Sequence, residues 1–171
     1  IVGADGADDR RILQASDRLY GDFRLRRVDY SAFSPIPDAS AVLPARSPPL
    51  LREHRLYQAD CLLRFYGFGV DEIAPPQAGM LDLEVDPKLA WALRHPEGFP
   101  VDLNKAPKEW LLRVPGLGTR NVARVLKARR HRRLRVEDLA RLRAPLAKLL
   151  PFVQLADHMP GHGLERPDRL R

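Results

Sequence analysis

The sequence has little cysteine, no long apolar run and, outside one segment, almost no net charge. Cys61 is the only cysteine among 171 residues, so no intrachain disulfide can form. A cysteine-based metal cluster cannot be built from this chain alone. A reducing cytoplasm is the compartment expected for such a chain. No apolar stretch reaches the ~18 residues of a membrane span, and no signal-peptide pattern is present, so nothing in the sequence argues for a membrane. An initiator methionine is missing too. The chain opens Ile1-Val2-Gly3, which reads as a processed product or a fragment.

What is present is positive charge in one place. The formal charge is +7 and the pI about 10.1. From Arg120 to Arg143 ten Lys/Arg face two acids, a net of +8, which leaves about −1 for all other residues. A basic excess held by one segment is better evidence for an anionic partner than a high pI alone. Arginine supplies 24 of the 29 basic residues and suits bidentate phosphate contact. A GC-rich genome explains that ratio equally well, but it does not explain the clustering.

The basic segment begins at a glycine corner, Val114-Pro115-Gly116-Leu117-Gly118. Pro115 fixes one backbone angle, and Gly116 and Gly118 let the chain turn sharply and offer amide N–H groups. A helix is expected on each side. The first runs from Lys105 or Ala106 to Val114, capped by Asn104, with Ala106, Trp110, Leu111 and Val114 as its apolar face. The second begins at Thr119, whose hydroxyl is expected to cap it. It puts Val122, Val125 and Leu126 on one face and Arg120, Arg124 and Lys127 on another. Turn amides and the positive end of the second helix converge on a point suited to a phosphate.

The rest of the chain reads in order. Ile1 to Ala4 looks like a strand end, a helix follows from Asp8 or Asp9 to Tyr20, and Arg24 to Phe33 reads as a second strand. That makes one βαβ unit over 1–33, too little to cover its own sheet. Residues 34–49 hold five prolines among sixteen and form a linker. Residues 50–98 form a helical connector: a helix from Leu50 to Tyr66 stopped by Gly67, and a short one from Lys88 to Arg94 behind Asp86-Pro87. Its face of Arg52, Glu53 and Arg64 is expected in water. Within 99–153, Val136–Leu142 and Pro145–Leu150 repeat the rhythm of the first helix pair without Gly-x-Gly. Residues 154–171 read as a disordered tail.

The stretch from Asn104 through Pro107, Leu111, Leu112, Val114-Pro115-Gly116-Leu117-Gly118, Val122 and Ala123 resembles the helix-hairpin-helix motif of DNA repair and recombination proteins. The resemblance implies backbone binding without sequence readout. Gly116, Leu117 and Gly118 would form the phosphate-facing hairpin, Thr119 would touch the same phosphate, and Arg120, Arg124 and Lys127 would supply charge. Some members hold a monovalent cation, K+ or Na+, through hairpin carbonyls; the matching main chains here are those of Leu112, Val114 and Leu117. A plain tight turn between two helices is the alternative, and so is a protein-interaction or dimerisation module that binds no nucleic acid.

A wider resemblance covers most of the chain. Ile1-Val2-Gly3-Ala4, Val28-Asp29-Tyr30-Ser31-Ala32-Phe33, Leu50 to Asp60, Leu62 to Phe68 and Asp86 to Arg94 are similar to the C-terminal part of radical S-adenosylmethionine proteins assigned to DNA modification or repair. It implies a mainly α chain: a tandem helix-hairpin-helix module and a helical connector behind a βαβ remnant of a partial TIM-type barrel. For the intact protein it implies S-adenosylmethionine and a 4Fe–4S iron–sulfur cluster, a barrel part N-terminal to this chain, and DNA as partner, duplex before single-stranded. The cluster needs a Cys-x3-Cys-x2-Cys loop, which this sequence lacks, so no catalytic residue is assigned.

Other constellations carry weaker expectations. Arg52-Glu53-His54-Arg55 reads as a helix face before an acid–base set. Cys61 is expected to be buried and inert. Trp91 and Trp110 read as core. Tyr30 and Ser31, at a strand's C-terminal end, are placed where barrels carry chemistry. His158 and His162 have metal-ligand spacing, but Pro160 and Gly161 intervene and a floppy tail is expected.

Overall fold

In a computed structural model, residues 1–37 and 42–161 are described. The chain divides into two units, Ile1–Arg64 with Phe68–Pro87, and Phe65–Gly67 with Lys88–Arg171. It is mainly helical; among the described residues the only sheet has two short strands. No helix of the described residues is long and apolar enough to cross a membrane.

In the first unit, α1 (Asp9–Gly21) starts where expected: the Asp8 carboxylate accepts the Arg11 amide at 2.8 Å and caps it. Helix α2 (Leu50–Tyr66) also matches its expected span, and Gly67, at φ +70°, ends it in the left-handed region. A short α3 (Val70–Ile73) follows. Leu13, Leu56, Ala59, Leu62 and Ile73 are buried and form the core. The second expected strand does not form. Arg24 to Phe33 is extended coil, touching the first segment at a single parallel bridge between Val2 and Ala32. The Val2 amide donates to Ser31 O at 2.7 Å, and the Phe33 amide to Val2 O at 2.9 Å. Charged side chains from α2 replace the missing ladder: Glu53 accepts the Ala32 amide at 2.7 Å.

This unit has a polar interior that the hydrophobic stripe did not announce. Asp9 is fully buried and accepts Arg52 Nε at 2.6 Å and the Leu81 amide at 3.0 Å. Arg52 therefore does not face water; its methylene stem and guanidinium are buried against that carboxylate. Asp60, also fully buried, accepts Arg64 Nε at 2.7 Å, Tyr30 Oη at 3.2 Å and Tyr20 Oη. Burial first, then the hydrogen bond to Asp60, pushes the Tyr20 hydroxyl up to about 12, and burial pushes Tyr30 up as well.

Besides Phe65–Gly67, the second unit takes in α4 (Pro87–Arg94) from Lys88 onward. Strand β1 (Val101–Asp102) follows, then α5 (Lys108–Arg113), α6 (Thr119–Ala128), α7 (Val136–Arg141), α8 (Leu146–Leu149) and β2 (Val153–Gln154). The strands pair in parallel, Val101 with Val153 and Asp102 with Gln154, so the two ends of the four-helix segment are joined. Leu111, Leu117, Val125, Leu134, Leu139 and Leu149 are fully or nearly fully buried. Gln154 thus lies in a strand, and Leu155 bridges to His158, where a disordered tail was expected from Gln154 onward. The remainder of that expectation, including His162, lies outside the described residues.

Candidate nucleic-acid interface

The glycine corner joins α5 to α6 in the second unit. Helix α5 is shorter than expected because Pro107 stands at its N-cap, and Asn104 caps nothing. Its side chain instead bridges the chain to Leu134: Oδ1 accepts the Leu134 amide at 2.7 Å, and Nδ2 donates to Leu134 O at 3.3 Å. After α5 the Leu117 amide donates to Val114 O at 3.1 Å and closes the turn.

Gly116 is required twice over. Its φ is +78°, and a Cβ there would lie 3.3 Å from Lys148 Cβ and 3.4 Å from Pro145 Cγ. Leu117 points inward, 1% exposed. Gly118, not Thr119, is the N-cap of α6, and Thr119 is its first helical residue. The Thr119 hydroxyl therefore does not cap. The reason is local: with Gly118 extended at ψ 162°, the helix begins one residue beyond it. A glycine cap has no side-chain oxygen, so the first-turn donors receive no side-chain partner. Among the described residues no hydrogen bond occupies the amides of Gly116, Gly118 or Thr119. Both glycines are half-buried and Thr119 is exposed.

The charge around this corner separates into anchored and unanchored groups. Arg129 is anchored: Nη1 donates to Ala106 O at 2.7 Å and Leu103 O at 3.2 Å. Arg132 pairs with Asp138, and Arg141 with Glu137. Arg124 makes only long contacts, 3.3 Å to Leu142 O and 3.5 Å to Asn121 Oδ1. Arg120, Lys127, Arg130 and Arg133 are exposed, and among the described residues none has an ion pair. Gly116, Leu117, Gly118, Thr119, Arg120, Arg124 and Lys127 thus fall on one turn and the helix it begins. Among the described residues no acid pairs with that charge.

One charged group was not singled out by the sequence. Lys88 on α4 is 8% exposed; its ammonium donates to Leu117 O at 2.8 Å and lies 4.5 Å from the centre of the Tyr66 ring. Of the three carbonyls named for a monovalent cation, Leu117 O faces this ammonium and Val114 O accepts the turn amide. Leu112 is buried in the last turn of α5. The only available signal was a lysine directly after the helix-opening Asp86-Pro87, which local pattern assigns to solvent.

The remaining candidates resolve differently. Of Arg52-Glu53-His54-Arg55, only His54 is exposed without a structural partner; Arg55 donates to Leu83 O at 2.8 Å. Tyr30 is buried, its hydroxyl bonded to Ser16 and Asp60, and Ser31 beside it is exposed. Cys61 is exposed, not buried, because α2 turns it away from the stripe of Leu56, Ala59 and Leu62. Trp91 is core, whereas Trp110 is 40% exposed and lies over Gly98, where a Cβ would come within 2.8 Å of its ring. Compared with protein-family models, curated proteins and solved structures, the chain has no significant match.

Proposed function

We propose that the second unit binds the backbone of nucleic acid, duplex DNA in the first place, without reading sequence. The observation that carries this is the corner at Gly116–Thr119: the amides of Gly116, Gly118 and Thr119 have no partner among the described residues, and beside them stand exposed cations that no acid of the described residues neutralises. Amides and a helix N-terminus suit one phosphate; Arg120, Arg124 and Lys127 suit its neighbours. The two successive helix pairs support a tandem helix-hairpin-helix reading. In the second, Arg143 stands three residues ahead of α8 as Gly116 stands three ahead of α6. Arg143 also shares the left-handed backbone, with φ +55°.

The Val2–Ala32 parallel bridge around α1 supports reading the first residues as the end of a βαβ unit. On that reading the chain is the DNA-binding end of a radical S-adenosylmethionine protein, and the cluster belongs to residues outside it. Fluorescence anisotropy on duplexes of unrelated sequence tests the binding. Lys127→Ala should lower affinity for every duplex alike, because a phosphate contact carries no base information. A loss confined to one sequence contradicts backbone binding.

A further inference from the structure

Between α5 and α6 lies a groove of about 680 Å3. Its floor is apolar, with Phe65 from the end of α2, Leu112 from α5, and Ala123 and Leu126 from α6. Its rim is cationic, with Lys108, Lys127 and Arg130. Thr119, which opens α6, also lines it, so the groove runs up to the glycine corner. Among the described residues no acidic side chain lines it. Phe65 is 55% exposed, a costly state for a large apolar ring.

We infer that this groove receives one unpaired nucleotide of the bound strand, its base against Phe65 and its flanking phosphates on Lys108, Lys127 and Arg130. The inference rests on the backbone-binding reading and adds a preference to it. The chemistry of the lining selects this occupant. A wholly apolar ligand would leave three cations unmet. A bare phosphate would leave the Phe65 ring and Leu126 in water. A nucleotide covers both, since every base has a π face and carries its own anions. The volume lies within the about 300–1,000 Å3 of sites that enclose small organic ligands. A paired base has its faces covered by its neighbours in the stack, so Phe65 can reach only a base that has left it.

The test uses the full chain and two labelled duplexes, one fully paired and one with a single bulged nucleotide, at one salt concentration. The bulged duplex should bind about 5- to 150-fold more tightly, the range of one base–aromatic stack. Phe65→Ala should abolish that difference and leave the paired duplex unaffected, while Phe65→Trp should retain it. Phe65 is 55% exposed, and circular dichroism melts of both variants check that the fold is kept. Equal affinity for the two duplexes overturns the inference while leaving backbone binding intact. A preference that survives Phe65→Ala overturns it equally. Failure to bind either duplex overturns the backbone-binding reading, and this site with it.

Discussion

Arg143 offers a substitution whose effects on stability and on binding should run in opposite directions. Helix α7 ends at Arg141 with Leu142 as its C-cap, and the chain then reverses through Arg143 at φ +55°. The Arg143 amide donates to Ala140 O at 2.9 Å and the Ala144 amide to Leu139 O at 3.1 Å. This is the paired-bond helix ending that glycine usually closes. A residue with a Cβ costs about 1–2 kcal/mol in that conformation. Glycine removes the cost but gives back about 0.4–1 kcal/mol through the freedom of the unfolded chain. Arg143→Gly should therefore stabilise the second unit by about 0.5–1 kcal/mol, raising its Tm by roughly 2–8 °C on the scaling for a domain of this size. Arg143→Ala keeps the Cβ and should gain nothing. Both variants remove the same exposed cation, so both should weaken DNA binding equally and flatten the salt dependence by about 0.9. Circular dichroism melts and anisotropy titrations on the three proteins read both effects. A glycine variant no more stable than the alanine variant would refute the strain argument.

Two other substitutions probe buried polar groups. Lys88→Met removes the ammonium from Leu117 O and leaves a buried carbonyl without it, which should cost about 1–3 kcal/mol in urea unfolding. The same change should weaken DNA binding, whereas exchanging K+ for Na+ in the wild type should not alter it, because the ammonium already holds a charge at that carbonyl. Tyr20 holds its proton more tightly folded than unfolded, its hydroxyl being pushed from 10.0 to about 12. Its contribution to stability is therefore whole below pH 10 and is lost between about 10 and 12 as the unfolded chain ionises first. Urea midpoints at pH 8 and pH 11 should converge between wild type and Tyr20→Phe if that group carries the loss attributed to it.

What the sequence made legible was local. Asp8 before α1, the span of α2, Gly67 behind it and the Pro-Gly-Leu-Gly corner each act within about one helical turn, and each stands where expected. What it hid depends on partners far along the chain. Arg52 looks like a solvent residue until Asp9, 43 positions away, is beside it. Asn104 looks like a cap until Leu134 claims both ends of its amide across 30 residues. The strand expected over Arg24 to Phe33 had the right alternation but no ladder to join, because beyond one bridge its neighbours are the side chains of α2. Gln154 enters a strand only because Val101 and Asp102 are there to pair with it. Thr119 failed as a cap by a single position, the margin within which helix ends are decided by backbone angles and not by residue type. Lys88 was invisible for the same reason as Arg52: its position on α4 says nothing of the carbonyl at Leu117, 29 residues on.

The salt dependence of duplex binding tests the central claim most directly. Three to five phosphates held by the corner and its cations predict that log affinity falls with log salt at a slope of about −3 to −5. An affinity that does not change with salt would mean that no backbone phosphate meets the glycine corner, and the account would be wrong.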